Sequence, residues 1–160
     1  MSTFLLNILL ALAWGALTGS FEPINLFFGF ALGFLMIGVG ERTLTGNQGR
    51  YLRASFLALE LLFLFLVDFI RANLRMVKIV LAPKPDLKPA VVAVPLSIRS
   101  ETAITLLVNM ITLTPGTLSL DVSNDRKLVF VHVFYLDDVE DFRRKLKEKY
   151  ERRIQDLFEP

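Results

Sequence analysis

The chain has 160 residues, of which 53% are apolar, and its formal net charge is +2. Apolar content at that level is high for a soluble protein, and the near-neutral charge argues against a nucleic-acid binder. The absence of cysteine excludes disulfides, thiolate nucleophiles and cysteine-based metal sites. These properties predict a membrane protein with a small water-facing domain.

Two apolar segments come first, Phe4 to Gly19 and Ile24 to Gly40, separated by the turn-like Ser20-Phe21-Glu22-Pro23. Each is close to the length that crosses a bilayer, and together they predict a transmembrane hairpin within residues 1–50. A secretory signal is the competing interpretation of the first segment. That segment lacks a basic leading region, and a second apolar run follows at once. A GxxxG pattern in the second segment indicates close helix packing.

A third segment, residues 51–82, contains neither proline nor glycine and predicts one long amphipathic helix. Its charged side chains recur at helical spacing and form one polar seam. Such a helix either lies at the membrane surface or crosses it beside polar partners, and the count of positive charges slightly favours the interfacial position. The separation of Arg53 and Arg71, roughly 27 Å, also suits a span. The seam consists of Arg53, Glu60, Asp68, Arg71, Arg75 and Lys78.

Residues 83–89 read PKPDLKP and predict a stiff linker, because three prolines stop the helix. Residues 90–160 then predict a small α+β domain in the order β-α-β-β-α. Basic residues from Arg71 to Lys88 flank this domain and place it in the cytoplasm. The predicted fold class is therefore a membrane hairpin, a long amphipathic helix and a cytoplasmic α/β domain.

Within this domain, three local signals position the elements. Ser100 is the predicted N-cap of a helix that is apolar on nearly all sides. The sheet covers one face of this helix, so we expect the opposite face to meet lipid headgroups or another protein. Pro115 and Gly116 predict a type II turn in which Gly116 has a positive φ. Asp137 is a predicted cap of the final helix, with Glu140 as the other half of a capping box.

The chain offers few residues for catalysis. His132 is the only histidine, so a multi-histidine metal site is excluded, and no motif of a nucleotide-binding or hydrolytic enzyme is present. We therefore expect no enzyme activity, cofactor or metal. Glu60 and Asp68 are the candidates for an ion path, since an ionisable group inside a membrane is often functional. The alternative is that Asp68 pairs with a nearby arginine of its own helix.

Two long runs of the sequence carry a family resemblance. They are VDFIRANLRMVKIVLAPK, from Val67 to Lys84, and ITLLVNMITLTPGTLSLDVS, from Ile104 to Ser123. With the early LTGSF and the later VHVF, they resemble the E subunit of Mrp/Mnh multisubunit cation/proton antiporters over nearly the whole chain. Asp68 departs from this resemblance, since glutamate is expected before the RANL motif.

The resemblance implies membership of a cell-membrane complex that exchanges Na⁺ or other monovalent cations for H⁺, and the lack of a catalytic set favours an accessory, non-catalytic subunit. It implies partners of the A, B, C, D, F and G types, with the ion paths in the A and D subunits, and it supplies no catalytic or ion-ligand residues. Two alternatives stay open: an E-like subunit of a membrane-bound hydrogenase-type complex, and a direct contribution to the ion path through Glu60 and Asp68.

Overall fold

A computed structural model describes residues 3–44, 50–83 and 87–159, so Lys84, Pro85 and Asp86 of the predicted linker lie outside the described residues. Over these residues the chain is helix-rich and contains one three-stranded sheet. It divides into two compact units, Met1–Phe56 and Leu57–Pro160. The elements are α1 (Thr3–Thr18), α2 (Pro23–Leu44), α3 (Arg50–Leu81), β1 (Ala90–Pro95), α4 (Glu101–Leu113), β2 (Thr117–Val122), β3 (Leu128–Val133), α5 (Val139–Leu146), a π-helical segment (Lys147–Glu151) and α6 (Arg152–Phe158).

In the first unit, α1 and α2 pack closely because glycine occurs where the two backbones approach. A Cβ atom on Gly29 would lie 2.8 Å from the Trp14 side chain, and a Cβ atom on Gly33 would overlap the Asn7 amide oxygen. Asn7 is fully buried and donates from Nδ2 to the Tyr51 hydroxyl at 3.2 Å. The GxxxG pattern therefore serves packing within this chain.

One described segment, Pro23–Glu41 in α2, is both long and apolar enough to cross a membrane, with a mean hydropathy of 1.8. Helix α1 is apolar but has 16 residues, which corresponds to about 24 Å of helix. The predicted pair of spans and the predicted domain boundaries therefore stay predictions. The outward side chains of this unit are largely apolar, and examples are Leu17, Phe27 and Met36.

In the second unit, three antiparallel strands form a sheet in the order β1-β3-β2. Alternate residues of β3 face the core, so that Val129, Val131 and Val133 are buried. His132 lies between them on the other face and pairs in register with Val91 and Leu118. Its position beside apolar strand residues agrees with a structural histidine.

The core of this unit lies between one face of the sheet and the helices that pack against that face. Helix α4 contributes the largest share, including the fully buried Leu107. Leu61 of α3 is also part of this core, as are Leu146 and Ile154 of the C-terminal helices. The expectation that the second face of α4 meets lipid or another protein is therefore wrong, because helices of the same chain cover it.

Two predicted helix caps differ from the structure. Asp138, not Asp137, is the N-cap of α5, and its side chain accepts from the backbone amides of Glu140 and Asp141. The extended backbone of Asp138 provides this geometry, since an N-cap residue is not itself helical. Ser100 occupies the N-cap position of α4 but makes no capping bond with its side chain. Glu159 instead accepts from the Arg99 and Ser100 amides, at 2.7 and 2.6 Å.

Candidate functional site

The polar seam of α3 meets the C-terminal helices within the second unit. Asp68 Oδ1 accepts a hydrogen bond from Lys149 Nζ at 2.6 Å, and its Oδ2 accepts one from the Tyr150 hydroxyl. Arg71 Nη1 is more distant, 3.9 Å from Asp68 Oδ1. Asp68 therefore pairs first with residues about 80 positions away and only second with the neighbouring arginine of its own helix.

Glu60 forms the second link between the same two elements. Its Oε1 accepts from Arg153 Nε at 2.8 Å. Arg153 Nη1 also donates to the carbonyl oxygens of Glu148 and Lys149, at 3.1 and 3.0 Å. One guanidinium thus connects α3 to the backbone of the π-helical segment, and the planar fork of arginine suits such multiple donation.

The π-helical segment determines which side chains reach α3. The amide of Arg152 donates to the Lys147 carbonyl, five residues earlier, so the helix widens by one residue at this point. Lys149 and Tyr150 are adjacent in sequence, yet both contact Asp68. Burial and the nearby Asp68 charge raise the pKa of the Tyr150 hydroxyl, so it stays protonated and donates at neutral pH.

Glu151 holds the opposite side of this segment against the sheet. It is 1% exposed, and its Oε1 accepts from the backbone amides of Ser97 and Ile98. Those amides follow β1 and lead into α4, so the carboxylate satisfies donors that the strand ladder leaves without partners. The π-helical segment therefore joins α3 to the sheet through side chains on its two sides.

The other basic residues of the seam lie further along α3. Arg75 and Lys78 are exposed. Arg71 and Arg75 line a cleft of about 620 Å³ together with Met76, the turn at 114–117 and Asp137. The Tyr135 hydroxyl and the Lys88 ammonium hold the pKa of Asp137 below its usual range, with a weaker contribution from Arg75.

The turn beside this cleft has the geometry that its sequence predicts. Gly116 has φ = 91°, and the Thr117 amide donates to the Thr114 carbonyl at 3.1 Å. A Cβ atom on Gly116 would lie 2.9 Å from Met76 Cε. The turn therefore contacts α3 as well as connecting α4 to β2.

Carboxylates paired with basic side chains in this way are better suited to connecting helices than to catalysis or metal binding. Within residues 3–44, 50–83 and 87–159, no group of three or more His, Asp or Glu side chains is arranged to hold a metal ion. The sequence interpretation identified Glu60 and Asp68 but missed Lys149, Tyr150 and Arg153. The basic residues in the middle of the predicted final helix were the signal that could have indicated these contacts. Their partners on α3 could not be assigned without the tertiary structure.

Residues 7–157 match the sequence profile of a family described as Na⁺/H⁺ ion antiporter subunit. The chain belongs to the E-subunit family of Na⁺/H⁺ antiporters. It is 33% identical over 150 residues to the E subunit of the Na⁺/H⁺ antiporter of Alkalihalophilus pseudofirmus, which covers 94% of each chain. It is also 33% identical over 153 residues to the corresponding E subunit of Bacillus subtilis, which covers 96% of each.

A solved structure also resembles this member of the E-subunit family over its full length. It is a chain of the membrane-bound sulfane sulfur reductase, an archaeal respiratory membrane complex. The TM-score is 0.63 at 26% identity, with 99% of this chain and 100% of that chain covered. The relatives in this family are antiporter subunits and not typical enzymes. Membership of the family implies a membrane location for this chain.

Proposed function

We propose that this chain is a non-catalytic accessory subunit of a multisubunit Na⁺/H⁺ antiporter, needed for assembly and stability of the membrane complex. Its partners are the other membrane subunits of that complex, of the A, B, C, D, F and G types, and the lipid bilayer. Family membership supports the antiporter setting. The main observation that supports the accessory role is that both carboxylates of the polar seam bind side chains in the C-terminal helical region of the same chain.

These contacts favour a structural role over an ion path for Glu60 and Asp68. A proton or cation carrier must exchange its ligand during each cycle, whereas Asp68 is bonded to an ammonium and a hydroxyl at once. Losing those partners would weaken the contact between α3 and the domain, whose core includes Leu61 of α3. The seam therefore serves as an internal joint of the subunit.

The proposed topology places α1 and α2 across the cell membrane as a hairpin, with the C-terminal domain in the cytoplasm. Arg71, Arg75 and Lys78 provide the positive flank that stays on the cytoplasmic side. A reporter that is active only after export, fused after Pro160, should be inactive, and a cytoplasmic reporter at the same site should be active. The reverse pattern would contradict the topology.

Neutralising both carboxylates tests the accessory role. The double variant Glu60→Gln, Asp68→Asn should lower the amount of assembled complex, while antiport per assembled complex stays unchanged. Glu140→Gln is the matched control, because Glu140 forms an exposed pair with Arg143 within α5. Normal assembly with lost antiport would instead favour an ion path through the two carboxylates.

A different host complex is the second candidate. The full-length likeness to a chain of a respiratory membrane complex supports an E-like subunit outside antiporters. Purification in mild detergent distinguishes the hosts, since antiporter subunits alone should accompany this chain in the first case. Redox subunits in the same preparation would favour the second.

A further inference from the structure

The outward face of α3 in the second unit is largely exposed and, apart from Asn73, apolar. Phe63 and Ile70 are 66% and 58% exposed, and they lie on the same face of the helix. Ten large apolar side chains form this face, which we name the outer α3 face: Leu59, Leu62, Phe63, Leu66, Phe69, Ile70, Leu74, Val77, Val80 and Leu81.

The opposite side of the same helix contacts the α/β domain between Leu61 and Met76. Leu61 is in the core, Asp68 binds Lys149, and Met76 approaches Gly116. From Leu61 to Met76 the helix rises by roughly 22 Å. The domain therefore follows α3 over a distance comparable to most of a hydrocarbon layer.

The packing of the α/β domain along α3 is incompatible with a transmembrane position for this helix. If α3 crossed the bilayer, the domain beside it would enter the hydrocarbon layer. Charged side chains such as Lys149 and Arg153 and the edge strands of the sheet would then leave water. Charges at the bilayer centre are strongly unfavourable, and open sheet edges are not tolerated there.

We propose that α3 lies in the plane of the membrane surface, with the outer α3 face inserted among the lipids and the α/β domain on its water side. This inference rests on the membrane location that the proposed function requires. Arg71, Arg75 and Lys78 lie on one flank of the helix, between the covered side and the outer face. Their exposed cationic groups are at the level of the phosphates and match anionic phospholipid headgroups.

A lipid surface explains the exposed apolar side chains of the outer α3 face better than a protein partner does. The face has no charged residue over its length of about 33 Å from Leu59 to Leu81. Basic residues accompany it along a single flank, as in helices that insert to about 5–10 Å at the headgroup boundary. Helix α2, the candidate span, precedes α3 in the chain.

Depth measurements along one face of α3 test this position. The chain contains no cysteine, so single cysteines can be introduced in the full-length protein by Leu59→Cys, Phe63→Cys, Ile70→Cys and Val77→Cys. Spin labels at these sites, in liposomes containing anionic phospholipid and all subunits that co-purify, report depth by collision with oxygen and a nickel chelate. Spin-labelled lipids supply the depth scale, and the preparation with the unsubstituted chain supplies the background.

We expect one shallow depth, about 5–10 Å, at all four sites. A spanning helix would place Phe63 and Ile70 deep and Leu59 and Val77, roughly 27 Å apart, near opposite surfaces. That profile would overturn the proposal. Low oxygen access at all four sites would also overturn it, because another subunit would then cover the face.

One further control checks the depth scale, and the choice of readout keeps this result separate from the proposed function. Lys127→Cys, at the tip of the β2–β3 hairpin with a side chain 79% exposed, should report water. The depth profile is measured in the membrane whether or not partner subunits accompany the chain. Absence of partners would contradict the accessory role, whereas a deep profile would contradict the position of α3 alone.

Discussion

Lys149 Nζ lies 2.6 Å from Asp68 Oδ1 and joins the π-helical segment to α3 across 81 positions of sequence. The two side chains are 30% and 22% exposed, so the pair is partly shielded from solvent. Hydrogen bonds to charged groups at such positions contribute about 1.5–3 kcal/mol. The pair therefore stabilises the contact between α3 and the π-helical segment.

Exchanging these two charges tests whether Asp68 acts only through this pair. Asp68→Lys and Lys149→Asp should each reduce the yield of assembled complex, because each places like charges together. The double exchange should recover much of the yield and antiport, measured in the same membranes. Recovered assembly without antiport would contradict the structural role, since a carboxylate at position 68 would then be required for transport.

Substitution of Gly116 should disturb the turn between α4 and β2. Its φ of 91° costs a residue with a β-carbon about 1–2 kcal/mol, and a β-branched residue more. Gly116→Val should therefore lower the yield of complex, and Gly116→Asn should be milder because asparagine tolerates positive φ. Met76→Ala is the control, since it removes the contact with Met76 Cε but not the strain. Rescue of Gly116→Val by Met76→Ala would show that crowding, and not φ, is the cause.

Asp138 and Asp137 form a matched pair for testing the N-cap of α5. Asp138→Ala removes the acceptor for two backbone amides and should destabilise the first turn by about 1 kcal/mol. Hydrogen exchange of residues 139–146 in the purified complex should then accelerate roughly five-fold. Asp137→Ala should leave that segment unchanged, because Asp137 accepts from Tyr135 and Lys88. Equal acceleration by both substitutions would contradict the assignment.

Gly33→Ala should disrupt the packing of α1 on α2. The added methyl group would overlap the buried Asn7 amide, and such overpacking costs about 1–3 kcal/mol. A lower thermal midpoint of the complex is the expected result. A Cβ atom on Gly40 would meet no atom within 4 Å, so Gly40→Ala should be neutral. If Gly33→Ala is equally neutral, the close approach at Asn7 is not required for stability.

Local signals along the chain predicted α3, the order of helices and strands in the C-terminal domain, and one turn. Residues 51–82 without proline or glycine predicted α3 to within one residue at each end, because a long uninterrupted helix depends on local backbone propensity. The positive φ of Gly116 followed from the Pro-Gly order for the same reason. Adjacent aspartates at 137 and 138 are equivalent in sequence, and only the backbone conformation selects Asp138 as the cap.

Partners across long separations were decided by the tertiary structure. The sequence by itself determined that Glu60 and Asp68 share one face of a helix, because helical periodicity is local. It could not determine that Arg153, Lys149 and Tyr150 bind them, since many cationic residues have the same chemistry. Packing of α3 into a core with α4 and the sheet selects these partners, and it also covers the face of α4 that looked open in the sequence. Burial of apolar area favours one arrangement of the whole unit, and that arrangement determines which charges meet.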